Sequence, residues 1–186
     1  MKWVIGILLL GIFVVVNLLI EHGGRKDNID PFKYTEQERM PDSIQGSGKR
    51  IFNHINPFSL SSAKPFSPGL YITFSELITP AGAWLRTTAL IWHNGSPDSL
   101  ACSLVTTCNQ QGTNYKYIYL PLEKMKLPSR QWSRVTLDYR IPRGARPDDI
   151  IQSYFWFRGK GEMRVDDMQV SIYEAGTIFQ GTTTKH

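Results

Sequence analysis

Trp132-Ser133-Arg134-Val135, Ile141-Pro142, Tyr154-Phe155-Trp156 and Val165-Asp166-Asp167-Met168-Gln169-Val170 lie within one stretch, Gln131 to Glu174, whose spacing decides the fold. Val135, Leu137, Tyr139 and Ile141 alternate with Arg134, Thr136, Asp138 and Arg140. That period of two is the signature of a strand with one face in a core. Ile150 to Arg158 is apolar on both faces, as befits a central strand, and Met163 to Tyr173 reads as the closing strand.

The same alternation extends toward the N-terminus. Leu70 to Phe74, Leu85 to His93, Leu100 to Leu104 and Tyr115 to Leu120 are each strand-sized, and an earlier strand is expected within Arg50 to Ala63. Turn clusters separate them at Thr79-Pro80-Ala81-Gly82, His93 to Asp98, Asn109 to Gly112, Leu127-Pro128-Ser129 and Pro142-Arg143-Gly144. With no long amphipathic helix among them, the pattern predicts an all-β, antiparallel β-sandwich of about eight strands.

Trp3 to Ile20 is apolar except for Gly6, Gly11 and Asn17. Those residues would span roughly 27 Å as a helix, close to a bilayer's hydrocarbon core. The run exceeds the apolar region of a cleaved signal, and Leu18-Leu19-Ile20-Glu21-His22 offers no small-residue cleavage site. A retained signal anchor is therefore expected over residues 1–23. A polar linker over 24–48, a sandwich domain over 49–175 and a tail over 176–186 follow. Arg25, Lys26 and Lys33 outnumber Lys2 around the span and favour a cytoplasmic domain, whereas a long domain behind a first apolar segment usually translocates. The expected placement is single-pass, with the domain outside the cytoplasm.

Lys and Arg number 21 against 16 Asp and Glu, a formal +5. Lys124, Lys126, Arg130, Arg134, Arg140, Arg143 and Arg146 face only Asp138 between positions 124 and 146. This is either a solvated face or a patch for anionic headgroups or an acidic envelope polymer, with Arg134 and Arg140 as its strand-borne members. No nucleic-acid motif accompanies it, and nucleic acid is not expected as a partner. Cys102 and Cys108 share a strand face about 20 Å apart, too far for a disulfide, so two buried thiols are expected.

From about Gly69 to Glu174 the chain resembles the galactose-binding-like jelly rolls, in particular the carbohydrate-binding modules of bacterial glycoside hydrolases. The residues carrying the likeness are Trp132 with Val135, Ile141-Pro142, Tyr154-Phe155-Trp156, and Val165-Asp166-Asp167-Met168 with Val170 and Ile172. The resemblance implies jelly-roll topology. It also implies a structural calcium site in which Asp166 would join carbonyls of the first strand; the alternative is a strand-end aspartate satisfied by backbone N–H groups. Nothing acidic within Arg50 to Ser62 supplies a second ligand.

Aromatic residues on a strand face would stack on sugar rings or fill the core. Trp92, Tyr117, Tyr119 and Trp156 are the candidates for glycan contact, with Tyr115 sharing the tyrosine face, while Trp132 is assigned to structure. The four histidines are dispersed, and no Gly-x-Ser-x-Gly, His-Glu-x-x-His or Cys-x-x-Cys motif is present. The expected function is a membrane-tethered, non-catalytic module binding carbohydrate or an envelope component. A structural or protein-interaction module of a membrane complex is the alternative.

Overall fold

The computed structural model describes residues 38–44, 48–77, 79–80 and 82–174. The expected anchor lies outside them, and among the described residues no helix is long and apolar enough to cross a membrane. The strands are β1 (Lys49–His54), β2 (Phe58–Leu60), β3 (Leu70–Thr73), β4 (Trp84–His93), β5 (Cys102–Gln110), β6 (Thr113–Pro121), β7 (Ser133–Arg140), β8 (Ile150–Phe157) and β9 (Met163–Tyr173). Among the described residues only short 3₁₀ turns interrupt them.

Two antiparallel sheets result. One runs β1-β9-β4-β7 with β2 also paired to β9; the other runs β3-β8-β5-β6. After β3, the only sequential strands paired directly are β5 and β6, so every other connection crosses between sheets. β8 and β9 are both flanked by strands on either side, and in β8 buried residues alternate with partly exposed ones.

Alternation fills the space between the sheets. Leu85, Ala89 and Ile91 of β4, Val135, Leu137 and Tyr139 of β7, and Ile151, Phe155 and Phe157 of β8 are all essentially inaccessible. Thr87 Oγ1 and Thr106 Oγ1 both reach Ser153 Oγ, at 2.7 and 3.0 Å, a buried hydroxyl bridge between the two sheets. Cys102 and Cys108 are free and buried, and burial pushes both thiols up.

In β9 the inward residues are Met163, Val165, Met168, Val170 and Ile172, which breaks strict alternation. A bulge absorbs the extra residue. Register shifts opposite Thr88 to Leu90, Asp167 has φ of 47°, and Asp166 Oδ1 accepts the Asp167 N–H at 2.7 Å.

Trp132 is a correction. It has the outward parity of Arg134 and Thr136, precedes the strand, and is 44% exposed rather than part of the core.

The segment before β3 runs hard against β8. Ser67 N–H donates to the Phe155 carbonyl and Phe157 N–H to that of Pro65. A Cβ at Gly69 would sit 2.2 Å from the Ser153 carbonyl oxygen. Gly69→Ala is therefore expected to push β3 off β8 at a cost of about 1–3 kcal/mol. A thermal melt unchanged within a degree would refute that.

Candidate functional site

Register places the outward side chains of the four-stranded sheet in rows. Tyr71, Gln152, Thr107 and Tyr117 form one row across β3, β8, β5 and β6. The next holds Tyr154, Val105 and Tyr119; the next Trp156, Ser103 and Pro121, with Phe66 bridged to Trp156. Ser103, Val105 and Thr107 point away from the core, yet none is more than 1% exposed. Small side chains on β5 form a floor that the larger aromatics on either side overhang.

The result is an open trough. Phe66 and Tyr71 stand at one wall, 55% and 66% exposed. Tyr117 and Tyr119 stand at the other, their rings 5.9 Å apart. Three strand spacings of about 4.8 Å separate the walls by roughly 14 Å. Near the first wall a hollow of about 350 Å³ lies among Phe66, Tyr71, Gln152 and Tyr154. The Tyr154 ring meets Phe66 edge-on at 6.0 Å.

At the Trp156 end, the Arg158 guanidinium lies 5.3 Å from the indole. It donates to Ser103 Oγ at 3.0 Å and to Glu123 Oε1 at 2.7 Å, which neutralises its charge locally. Burial, reinforced by the nearby Tyr154 phenol, pushes the Tyr117 hydroxyl up to about 12, and burial raises Tyr154 as well. Both phenols are neutral at physiological pH and able to donate and accept. Flat apolar ring faces interleaved with hydroxyl and amide groups suit a pyranose, which presents C–H faces and equatorial hydroxyls.

Of the residues singled out by sequence, the structure brings Tyr117, Tyr119 and Trp156 together on this face. Trp92, Arg134 and Arg140 stand on the outer face of the other sheet. There Trp92 lies under the Arg164 guanidinium at 5.1 Å, Arg134 faces Asp167 at 3.9 Å, and Arg140 lies 5.9 Å from the Trp84 ring. No one ligand surface holds both groups, so Trp92 and Tyr117 do not share a site.

Asp166 sits at the bulge with Oδ1 taken by the Asp167 N–H. Among the described residues no group of three or more His, Cys, Asp or Glu is placed to hold a metal. The first strand brings no acidic partner to Asp166.

Sequence reasoning passed over Phe66, Tyr71, Gln152 and Tyr154. Tyr71 carried a legible signal, since it is out of phase with core-facing Leu70 and Ile72. Phe66 lies outside any named strand and carried none.

No family model matches the chain, and no curated protein does. Solved structures similar to it include a CBM4 structure, 16% identical, with 56% of this chain and 59% of that one covered at a TM-score of 0.36. A second is the CBM22-1 xylan-binding domain of Paenibacillus barcinonensis Xyn10C, 10% identical, with 69% and 97% covered at 0.40. A third is the CBM22-1–CBM22-2 tandem of the same protein, 13% identical, with 74% and 53% covered at 0.46. The chain thus spans less than two thirds of the CBM4 structure and of the tandem. Such likenesses say nothing about what this chain binds.

Proposed function

We propose that the chain is a non-catalytic jelly-roll module that binds carbohydrate along the aromatic trough. In this reading residues 1–23 hold it at the membrane, with the domain outside the cytoplasm. The trough carries the reading: two aromatic walls, one strongly exposed, overhang a buried floor of small residues. Phe66 and Tyr71 leave large apolar surfaces in water, and packing within the sandwich does not require them.

Retention of the full chain on polysaccharide gels, β-1,4-linked xylans and glucans among them, tests it. Tyr71→Ala and Phe66→Ala are each expected to weaken binding about tenfold, the equivalent of about 1.4 kcal/mol. Neither should move the melting temperature by more than a degree or two, because both side chains are exposed. High salt should leave binding intact, since stacking rather than charge holds the glycan. Equal retention of wild type and both variants would remove the trough from the binding site. Failure on every polysaccharide, with protein partners captured through the same face, would favour the interaction-module alternative. A reporter fused after Glu174 that is active only outside the cytoplasm would agree with the tether; activity inside would overturn the orientation.

A further inference from the structure

Asn94-Gly95-Ser96 opens the connection between β4 and β5, and no other asparagine in the sequence is followed by glycine. Gly95 has φ of 98°, and an added Cβ there would come within 3.1 Å of Ser129 Cβ, so the turn takes no larger residue without strain. Asn94 is exposed. Its Oδ1 accepts the Ser96 N–H at 2.9 Å, which folds the side-chain amide back along the main chain that follows it. An asparagine in this setting is open to attack on its side-chain carbonyl by the next backbone nitrogen, because glycine has no side chain to crowd the nucleophile.

His93, the last residue of β4, is 3% exposed, and its Nδ1 accepts the Gly95 N–H at 3.2 Å. Because that nitrogen accepts, the neutral ring carries its proton on Nε2, which donates to the Leu127 carbonyl at 3.3 Å. The Arg130 N–H donates to the His93 carbonyl at 2.8 Å, so ring and main chain are both tied to the β6–β7 connection. A base thus holds the proton that the attacking nitrogen must lose, at a distance suited to general-base catalysis. On the carbonyl side, the Ser96 N–H is already bonded to the oxygen that gains charge on attack. The charged residues on the elements around the ring are Lys126 and Arg130 on the β6–β7 connection, Asp98 on the β4–β5 connection, and Glu162 and Arg164 on either side of Met163, the β9 partner of His93. Glu162 and Arg164 pair with each other at 3.5 Å.

We propose that Asn94 is a site of self-modification, at which His93 catalyses conversion of the asparagine to aspartate and isoaspartate. The Gly95 nitrogen forms a bond to Asn94 Cγ as its proton passes to His93 Nδ1. The tetrahedral intermediate then collapses with rupture of the Cγ–Nδ2 bond, and the leaving nitrogen takes the proton back from the imidazolium and departs as ammonia. Water opens the resulting five-membered imide at either carbonyl, which yields aspartate or isoaspartate. The sequence is redox-neutral, with water consumed and ammonia released. Either product adds a negative charge to the turn, and isoaspartate also lengthens its main chain by a methylene between His93 and the close approach of Gly95 to Ser129. The step involves none of the trough residues and does not depend on the carbohydrate reading.

Peptide mapping by mass spectrometry of the full chain in detergent, aged in buffer and sampled over time, tests it. Asn94 should gain the mass of an amide-to-acid conversion, with isoaspartate among the products, while Asn53, Asn56, Asn109 and Asn114 in the same samples remain amides. His93→Gln should slow conversion of the folded chain at least about tenfold and leave that of the urea-unfolded chain unchanged. The pH profile of the wild type gives a second reading that needs no variant. In the folded chain the rate should rise at low pH and level off once the imidazole is neutral, whereas attack driven by hydroxide climbs about tenfold per pH unit without a plateau, as the unfolded chain should. Should His93→Gln fail to fold, that profile alone decides. An Asn94 amide that outlasts its counterpart in the unfolded chain would overturn the site, and a folded-state rate without a plateau, or one unchanged in a folded His93→Gln variant, would remove His93 as the base.

Discussion

Arg86→Ala is expected to destabilise the sandwich by about 3 kcal/mol, the low end of the cost of stranding a buried charge. Arg86 and Asp138 face each other across β4 and β7. Nε donates to Oδ1 at 2.7 Å and Nη2 to Oδ2 at 2.9 Å, a forked pair, while the Met40 N–H adds a third bond to Oδ2 at 3.0 Å. Asp138 is buried, and Met40 beside it is 2% exposed. Removing the guanidinium leaves a desolvated carboxylate with one donor. Arg86 itself keeps about a quarter of its side chain in water, which sets the estimate at the low end. For a chain of this size the loss corresponds to roughly 10 °C in melting temperature. Replacing both partners by apolar residues, Arg86→Met with Asp138→Leu, should recover most of it, because no charge is then stranded. A single variant within 1 kcal/mol of wild type would mean that the pair is solvated and contributes little.

That pair also marks where sequence stops being informative. Alternation in Arg134 to Ile141 puts Asp138 on the outward face, and the structure agrees; what alternation does not supply is the strand opposite. Burial of Asp138 follows from the β4–β7 register and from Met40, which lies 98 positions away in the chain. The linker expected through position 48 is bound to the sandwich there and at Glu38, which accepts the Arg140 N–H at 2.9 Å and pairs with Lys116 at 2.8 Å. Such contacts are set by tertiary closure and leave no local periodicity.

The trough was half legible for the same reason. Tyr117, Tyr119 and Trp156 stand out as aromatics within strands, whereas joining them to Tyr71 and Phe66 requires the order β3-β8-β5-β6. Grouping Trp92 with Tyr117 was a natural reading of two aromatic strands. The two faces of a sandwich have the same period in sequence, and only the assignment of strands to sheets separates them.

Alkaline unfolding should be steep, and its sign follows from burial. Tyr115, Tyr117, Tyr139 and Tyr154 are all held above the ordinary tyrosine value, and Cys102 and Cys108 above the ordinary thiol value, in every case first by desolvation. A folded-state value above the unfolded one means that the folded chain keeps a proton the unfolded chain releases. The stabilisation is fully present below about pH 8, where both states are protonated, and is lost as pH rises through the thiol and then the tyrosine range toward about 12. Each group that ionises only on unfolding contributes about 1.4 kcal/mol per pH unit to the loss. Cys102, Cys108 and Tyr139, all completely buried, are the three for which that slope applies in full.

Melting temperature measured from pH 8 to 11.5 should therefore fall progressively faster above about pH 9. The tyrosinate absorbance of the buried rings should rise together with loss of structure rather than before it. Tyr139→Phe removes one ionising group without changing the packed ring and should flatten the fall by about one proton's slope. A melting temperature flat to pH 11, or an unchanged slope in the variant, would show that these rings reach solvent in the folded state.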